Sequence, residues 1–98
     1  MKRGTTPTIT FTLPEEINIA ELYITFSQNK RTVLEKKLDD VEIKENVITL
    51  PLTQENTLAF YAPSPVYIQL RIRDIGGNAI ASDIIRTDVD SILKDGVI

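Results

Sequence analysis

Residues 66–73 read VYIQLRIR, so that Val66, Ile68, Leu70 and Ile72 alternate with Tyr67, Gln69, Arg71 and Arg73. A period of two held over eight residues describes a strand with one buried and one solvated face, whereas a helix would repeat its apolar positions every three or four residues. Everything around this segment reads in the same way. On its C-terminal side Gly76-Gly77-Asn78 tolerates the positive φ of a tight turn, which predicts a hairpin into a returning strand over Ala79 to Val89. The apolar parity of that strand shifts at Ile84-Ile85, which requires either a β-bulge or burial on both faces.

On the N-terminal side, Tyr61-Ala62-Pro63-Ser64-Pro65 is a rigid connector, because its two prolines lack backbone donors and bias the preceding residues to extended conformations. Before it, Thr53 followed by Gln54, Glu55 and Asn56 has the form of an N-cap with an acidic first turn, so TQENTLAF holds the one short helix, at a corner between two sheets. Tyr61 beside this corner is expected to tie its hydroxyl to backbone, as tyrosines at sandwich corners do. The run VITLPL directs Ile48, Leu50 and Leu52 to one face; Pro51, on the other, requires an edge or a bulge. Two hairpins precede it. Leu22, Ile24 and Phe26 turn at Gln28-Asn29-Lys30 into a charged edge strand over Thr32 to Leu38, and Asp39-Asp40 leads to a short Val41–Lys44 strand that reverses at Glu45-Asn46. The opening strand TITFTL sets Ile9, Phe11 and Leu13 against three threonines, and an acidic connector over Glu15 to Glu21 follows Pro14.

These pieces predict an all-β fold, a small antiparallel β-sandwich of about seven strands with one short corner helix. Composition agrees, since Ile (14), Val (6) and Thr (11) supply 31 of the 98 residues and β-branched side chains favour pleated strands. A chain of this length makes one domain, 1–98, with residues 1–7 as a flexible arm and 90–98 as a tail. Its expected core is Phe11, Leu22, Ile24, Phe26, Ile48, Leu50, Val66, Ile68, Leu70 and Ile72.

The chemistry of catalysis is poorly represented. There is no histidine or cysteine to serve as imidazole base, thiolate or zinc ligand, so the chain reads as a non-enzyme without cofactor, metal or small-molecule substrate. Glu15-Glu16 and Asp39-Asp40 are turn carboxylates, and Asp83, Asp88, Asp90 and Asp95 lack the spacing of a calcium loop. Gly76-Gly77 is followed by a strand pattern, where a phosphate loop would open a helix. With 11 basic against 14 acidic residues and a formal charge of −3, nucleic acid is not an expected partner. The longest uncharged run, ending at Leu70, is broken by Pro63 and Pro65, so no membrane span is expected. The start MKRGTTPTIT has no apolar signal region, which predicts a soluble cytoplasmic product.

What remains is surface. Tyr67, Arg71 and Arg73 project from the outer side of the anchor strand and are residue types enriched at protein interfaces. Ile92, Leu93, Val97 and Ile98 place four large apolar side chains beyond the last strand, where they either cap the sandwich or dock a neighbouring chain.

The order of segments RGTTPTITFTLP, LYITFSQ, TVLEKKLDDV, LTQENTLAF, VYIQLRIRD and ASDIIRTDVDSILKDGVI resembles small proteins encoded among the structural genes of phages and prophages of Gram-positive bacteria. Its hairpin pattern is also similar to the immunoglobulin-like domain that opens phage baseplate upper proteins. The resemblance covers nearly the whole chain through strand and turn patterns. It implies an immunoglobulin-like sandwich and a virion-associated role, in tail or baseplate, with other phage structural proteins or the chain itself as partners. It also implies residence in the bacterial cytoplasm during assembly and in the virion afterwards, and it brings no catalytic residues. The alternative from a different class is a soluble module that recognises a carbohydrate or a host protein through loops at one end of the sandwich.

Overall fold

In the computed structural model, which describes Met1–Ile98, the alternating segments become eight strands. They are β1 (Thr8–Thr12), β2 (Ile19–Gln28), β3 (Arg31–Lys37), β4 (Glu42–Lys44), β5 (Val47–Pro51), β6 (Val66–Asp74), β7 (Ala79–Ala81) and β8 (Ile85–Thr87). The single α-helix, α1 (Gln54–Leu58), links β5 to β6. One sheet has the order β1-β5-β4; the other runs β3-β2-β6, with β7 and β8 pairing in turn along the far side of β6, and every strand pairing is antiparallel. Taking β1 as strand B, this is the immunoglobulin arrangement of B-E-D against C′-C-F-G, without a full strand A. Only a parallel bridge from Lys2 to Asp90 occupies that side.

All ten residues expected in the core are buried, and Leu13, Leu52, Phe60 and Val89 join them. The rings of Phe26 and Phe60 lie 5.6 Å apart across the corner, a spacing typical of favourable aromatic pairs. Thr53 caps α1 by accepting from the Asn56 amide at 3.1 Å, while the Asn56 side chain accepts from the Thr53 amide at 3.0 Å. That reciprocal box lets a five-residue helix exist. Pro51 closes β5 opposite Thr8, past the point where β4 ends at Glu42 and Thr49, so its missing N–H removes no ladder bond. Asn29 and Lys30, both at positive φ, make the β2–β3 hairpin turn.

Several expectations change. The connector over Glu15 to Glu21 is shorter than expected, because β2 begins at Ile19 and pairs with β6 through Glu21 opposite Arg73. The single returning strand over Ala79 to Val89 is two strands: Ser82, Asp83 and Ile84 face only Gln69 and Leu70 of β6, an extra residue that shifts the register. Of the two explanations for the parity change, the bulge holds and burial on both faces does not, since Ile84 and Ile85 are both exposed. Asp39-Asp40 forms part of a 3-10 turn, Leu38–Asp40, whose Asp40 carboxylate accepts from the Lys37 amide at 2.8 Å.

Candidate functional site

The β2–β3 and β2–β6 registers set Lys37, Tyr23 and Arg71 side by side across three strands, on the face opposite the core. One step along, Arg73 pairs with Glu21, their charged atoms 3.5 Å apart, and toward the other end Tyr67 lies between Ser27 and Arg86. The outer face of the larger sheet therefore carries Lys37, Arg71, Arg73 and Arg86 against the strand carboxylates Glu21 and Glu35, with Asp88 beside Arg86, in a chain whose formal charge is −3. Arg86 pairs with Asp88 at 3.0 Å, and Arg71 has no carboxylate within ion-pair distance. Exposed pairs of this kind contribute little to stability. A shallow hollow of about 190 Å³ lies between Glu21, Tyr23, Arg71 and Arg73.

The second set of expected residues lies elsewhere. Ile92 is partly buried, its side chain beside Gly4; Leu93 is fully exposed, and Val97 and Ile98 are largely so. Gln54 of α1 holds the Ile98 backbone in both directions, donating at 3.0 Å and accepting at 2.8 Å. Arg3 ties this end together: its guanidinium donates to the Phe60 and Leu58 carbonyls at 2.8 and 2.9 Å, where α1 runs out of internal partners, and to the Asp95 carboxylate at 3.1 Å. Met1–Arg3, expected as part of a flexible arm, are thus fastened to the body, with the Arg3 amide donating to the Asp90 carbonyl and the Asp90 amide to the Met1 carbonyl. The structure does not unite the two candidate surfaces, because Arg73 lies seven residues, about 23 Å, along β6 from the helix end.

Tyr61 does not lock the corner. Its side chain is 66% exposed, and the tie is made by Gln28, at the inner end of β2 and only 1% exposed. The Gln28 amide donates to the carbonyls of Tyr61 at 2.8 Å and Ser64 at 3.1 Å, and its side-chain oxygen accepts from the Tyr61 amide at 2.8 Å. The inward parity of Leu22, Ile24 and Phe26 extends to residue 28, and that was the available signal. Buried Thr57 similarly donates to the Thr5 carbonyl at 2.8 Å. In the β6–β7 turn, the Asn78 backbone amide and then its side-chain amide hold the Asp74 carboxyl below the ordinary carboxylate range. No helix is long and apolar enough to cross a membrane.

No protein-family model matches the chain, and no curated protein matches it. Among solved structures, the V domain of amphioxus IgVJ-C2 is similar at 11% identity over 94% of this chain and 97% of that one, with a TM-score of 0.39. Strand order and register are what identify the immunoglobulin-like sandwich here.

Proposed function

We propose that this chain is a non-enzymatic structural or assembly protein of a phage or prophage particle, in its tail or baseplate, and that it docks a neighbouring protein through the outer face of the larger sheet. The observation that carries the docking surface is the row Lys37–Tyr23–Arg71 with Arg73 beside it: cations and a tyrosine assembled by three strands on a rigid sheet, within an otherwise acidic chain. Such a face complements an acidic protein surface, and its tyrosines offer contact area at low entropic cost. The phage setting rests on the resemblance of the six-segment order, from RGTTPTITFTLP to ASDIIRTDVDSILKDGVI, to small phage structural-region proteins. For the carbohydrate-binding alternative, the exposed Tyr61 stands alone as an aromatic platform at the helix end.

The test uses a phage-producing bacterial strain in which this chain carries an epitope tag. The tagged protein is expected to sediment with purified particles, and the R71E/R73E double variant to be lost from them while retaining its thermal midpoint. Deleting residues 91–98 serves as the comparison and is expected to leave particle association in place. Absence of the protein from particles would overturn the virion role; loss only on tail deletion would move the docking surface to Ile92, Leu93, Val97 and Ile98.

A further inference from the structure

Two sheets leave four edges, and three of these are guarded against pairing with another chain. β3 carries Arg31, Glu35, Lys36 and Lys37 and a register shift opposite Phe26/Ser27. β4 has three residues, two of them charged, and the β7–β8 edge is broken by the extra residue and carries Arg86. Charges, short length and bulges are the ordinary means of blocking edge-to-edge association.

β1 has none of these. No charged residue occurs from Gly4 to Pro14, and all five residues of Thr8–Thr12 pair with β5 in unbroken register. The Leu13 amide donates to the Asn46 carbonyl and the Leu52 amide to the Pro7 carbonyl, at 2.8 and 2.9 Å, so the odd residues bond to β5. By the alternation of an antiparallel ladder, the N–H and C=O groups of Thr8, Thr10 and Thr12 point away from the sheet. Beyond this edge, on the side where an immunoglobulin strand A would lie, an apolar hollow of about 310 Å³ opens between Leu13, Pro14, Ile72 and Ile80.

We propose that two copies of this chain pair antiparallel through β1, with Thr10 opposite Thr10 of the second copy, joining two three-stranded sheets into one of six. The occupant is a second copy because this edge is complementary to itself. Around a two-fold axis at Thr10, Thr8 meets Thr12 of the second copy, and the outward donors of each strand face the outward acceptors of the other. Threonine opposite threonine is a favourable cross-strand pair. An uncharged strand is also the one edge that two chains of charge −3 can bring together without opposing like charges. The same register sets Pro7 of the second copy opposite Leu13, on the face toward the hollow, so each copy's proline closes the other's open side. This contact is separate from the basic sheet face.

Sedimentation equilibrium of the full chain tests it. The wild type is expected at twice the 11.0 kDa chain mass, and T10K and T10E each at the single mass. An equimolar mixture of the two variants is expected at twice the mass again, because the lysine introduced in one copy then meets the glutamate introduced in the other. T49K, which places the same charge on β5 directly beside Thr10, is expected to remain dimeric. In the wild type the Thr10 amide should also exchange at least about tenfold more slowly in the dimer than in T10E. A wild type that stays monomeric up to about 1 mM, a T10K dimer, or a mixture that does not reassociate would each overturn the proposal.

Discussion

Replacing Gln28 by methionine should loosen the corner between the sheets without emptying it. Gln28 ends β2 at 1% exposure and makes three hydrogen bonds to the Tyr61–Ser64 connector, two of 2.8 Å with Tyr61 and one of 3.1 Å with Ser64. Methionine keeps the length and the apolar stem, so the change removes hydrogen bonding and little packing. At about 1 kcal/mol net per bond, the three together contribute about 3 kcal/mol. Tyr61 is largely exposed, so water can reach part of its freed backbone, and the expected loss is about 2 kcal/mol. In a domain of this size that corresponds to a fall of about 8–16 °C in the thermal midpoint, with an unchanged urea m-value because the surface exposed on unfolding is the same. Gln28→Glu should be worse at neutral pH, since it turns a buried carboxylate toward two carbonyl oxygens, and should recover partly in acid as the group becomes a donor again. If Q28M melts within about 2 °C of the wild type, the corner is held by packing of Phe60 and Val66, and the hydrogen-bond account is wrong.

Two further outcomes follow from the same geometry. Phe26→Ala removes a fully buried ring from its pairing with Phe60 and should lower stability by about 3–5 kcal/mol, read as a shift of the urea midpoint. Asp74→Asn removes the carboxylate that accepts from the Asn78 backbone and side-chain amides; because the folded-state pKa lies below the reference value of 3.8, the wild-type advantage should be fully present above that pH and disappear as pH falls through the folded value, in a comparison of thermal midpoints from pH 7 to pH 2.

The inward residues of β2, β5 and β6 were legible in the sequence because burial acts on each residue separately: water rejects Ile24 or Leu70 whatever strand lies beside it, and the pleat converts that rejection into a period of two. The corner helix was legible for a related reason, since the Thr53 cap acts within three residues. What parity could not specify was who stands next to whom. Tyr67 and Arg71 satisfy the outward half of the pattern whether they meet water or a partner, and only the β2–β3 and β2–β6 registers show that Lys37, Tyr23 and Arg71 form a row. In sequence Gln28 looks like turn chemistry, because its bonding partners lie 33 to 36 residues away. The edge at β1 lies between these cases. Its lack of charge is written in TITFT, but that lack matters only because the sheet order β1-β5-β4 leaves the strand with one neighbour. The same five residues between two strands would be an ordinary sheet interior, whereas with one neighbour they present outward donors and acceptors that nothing in the chain repels.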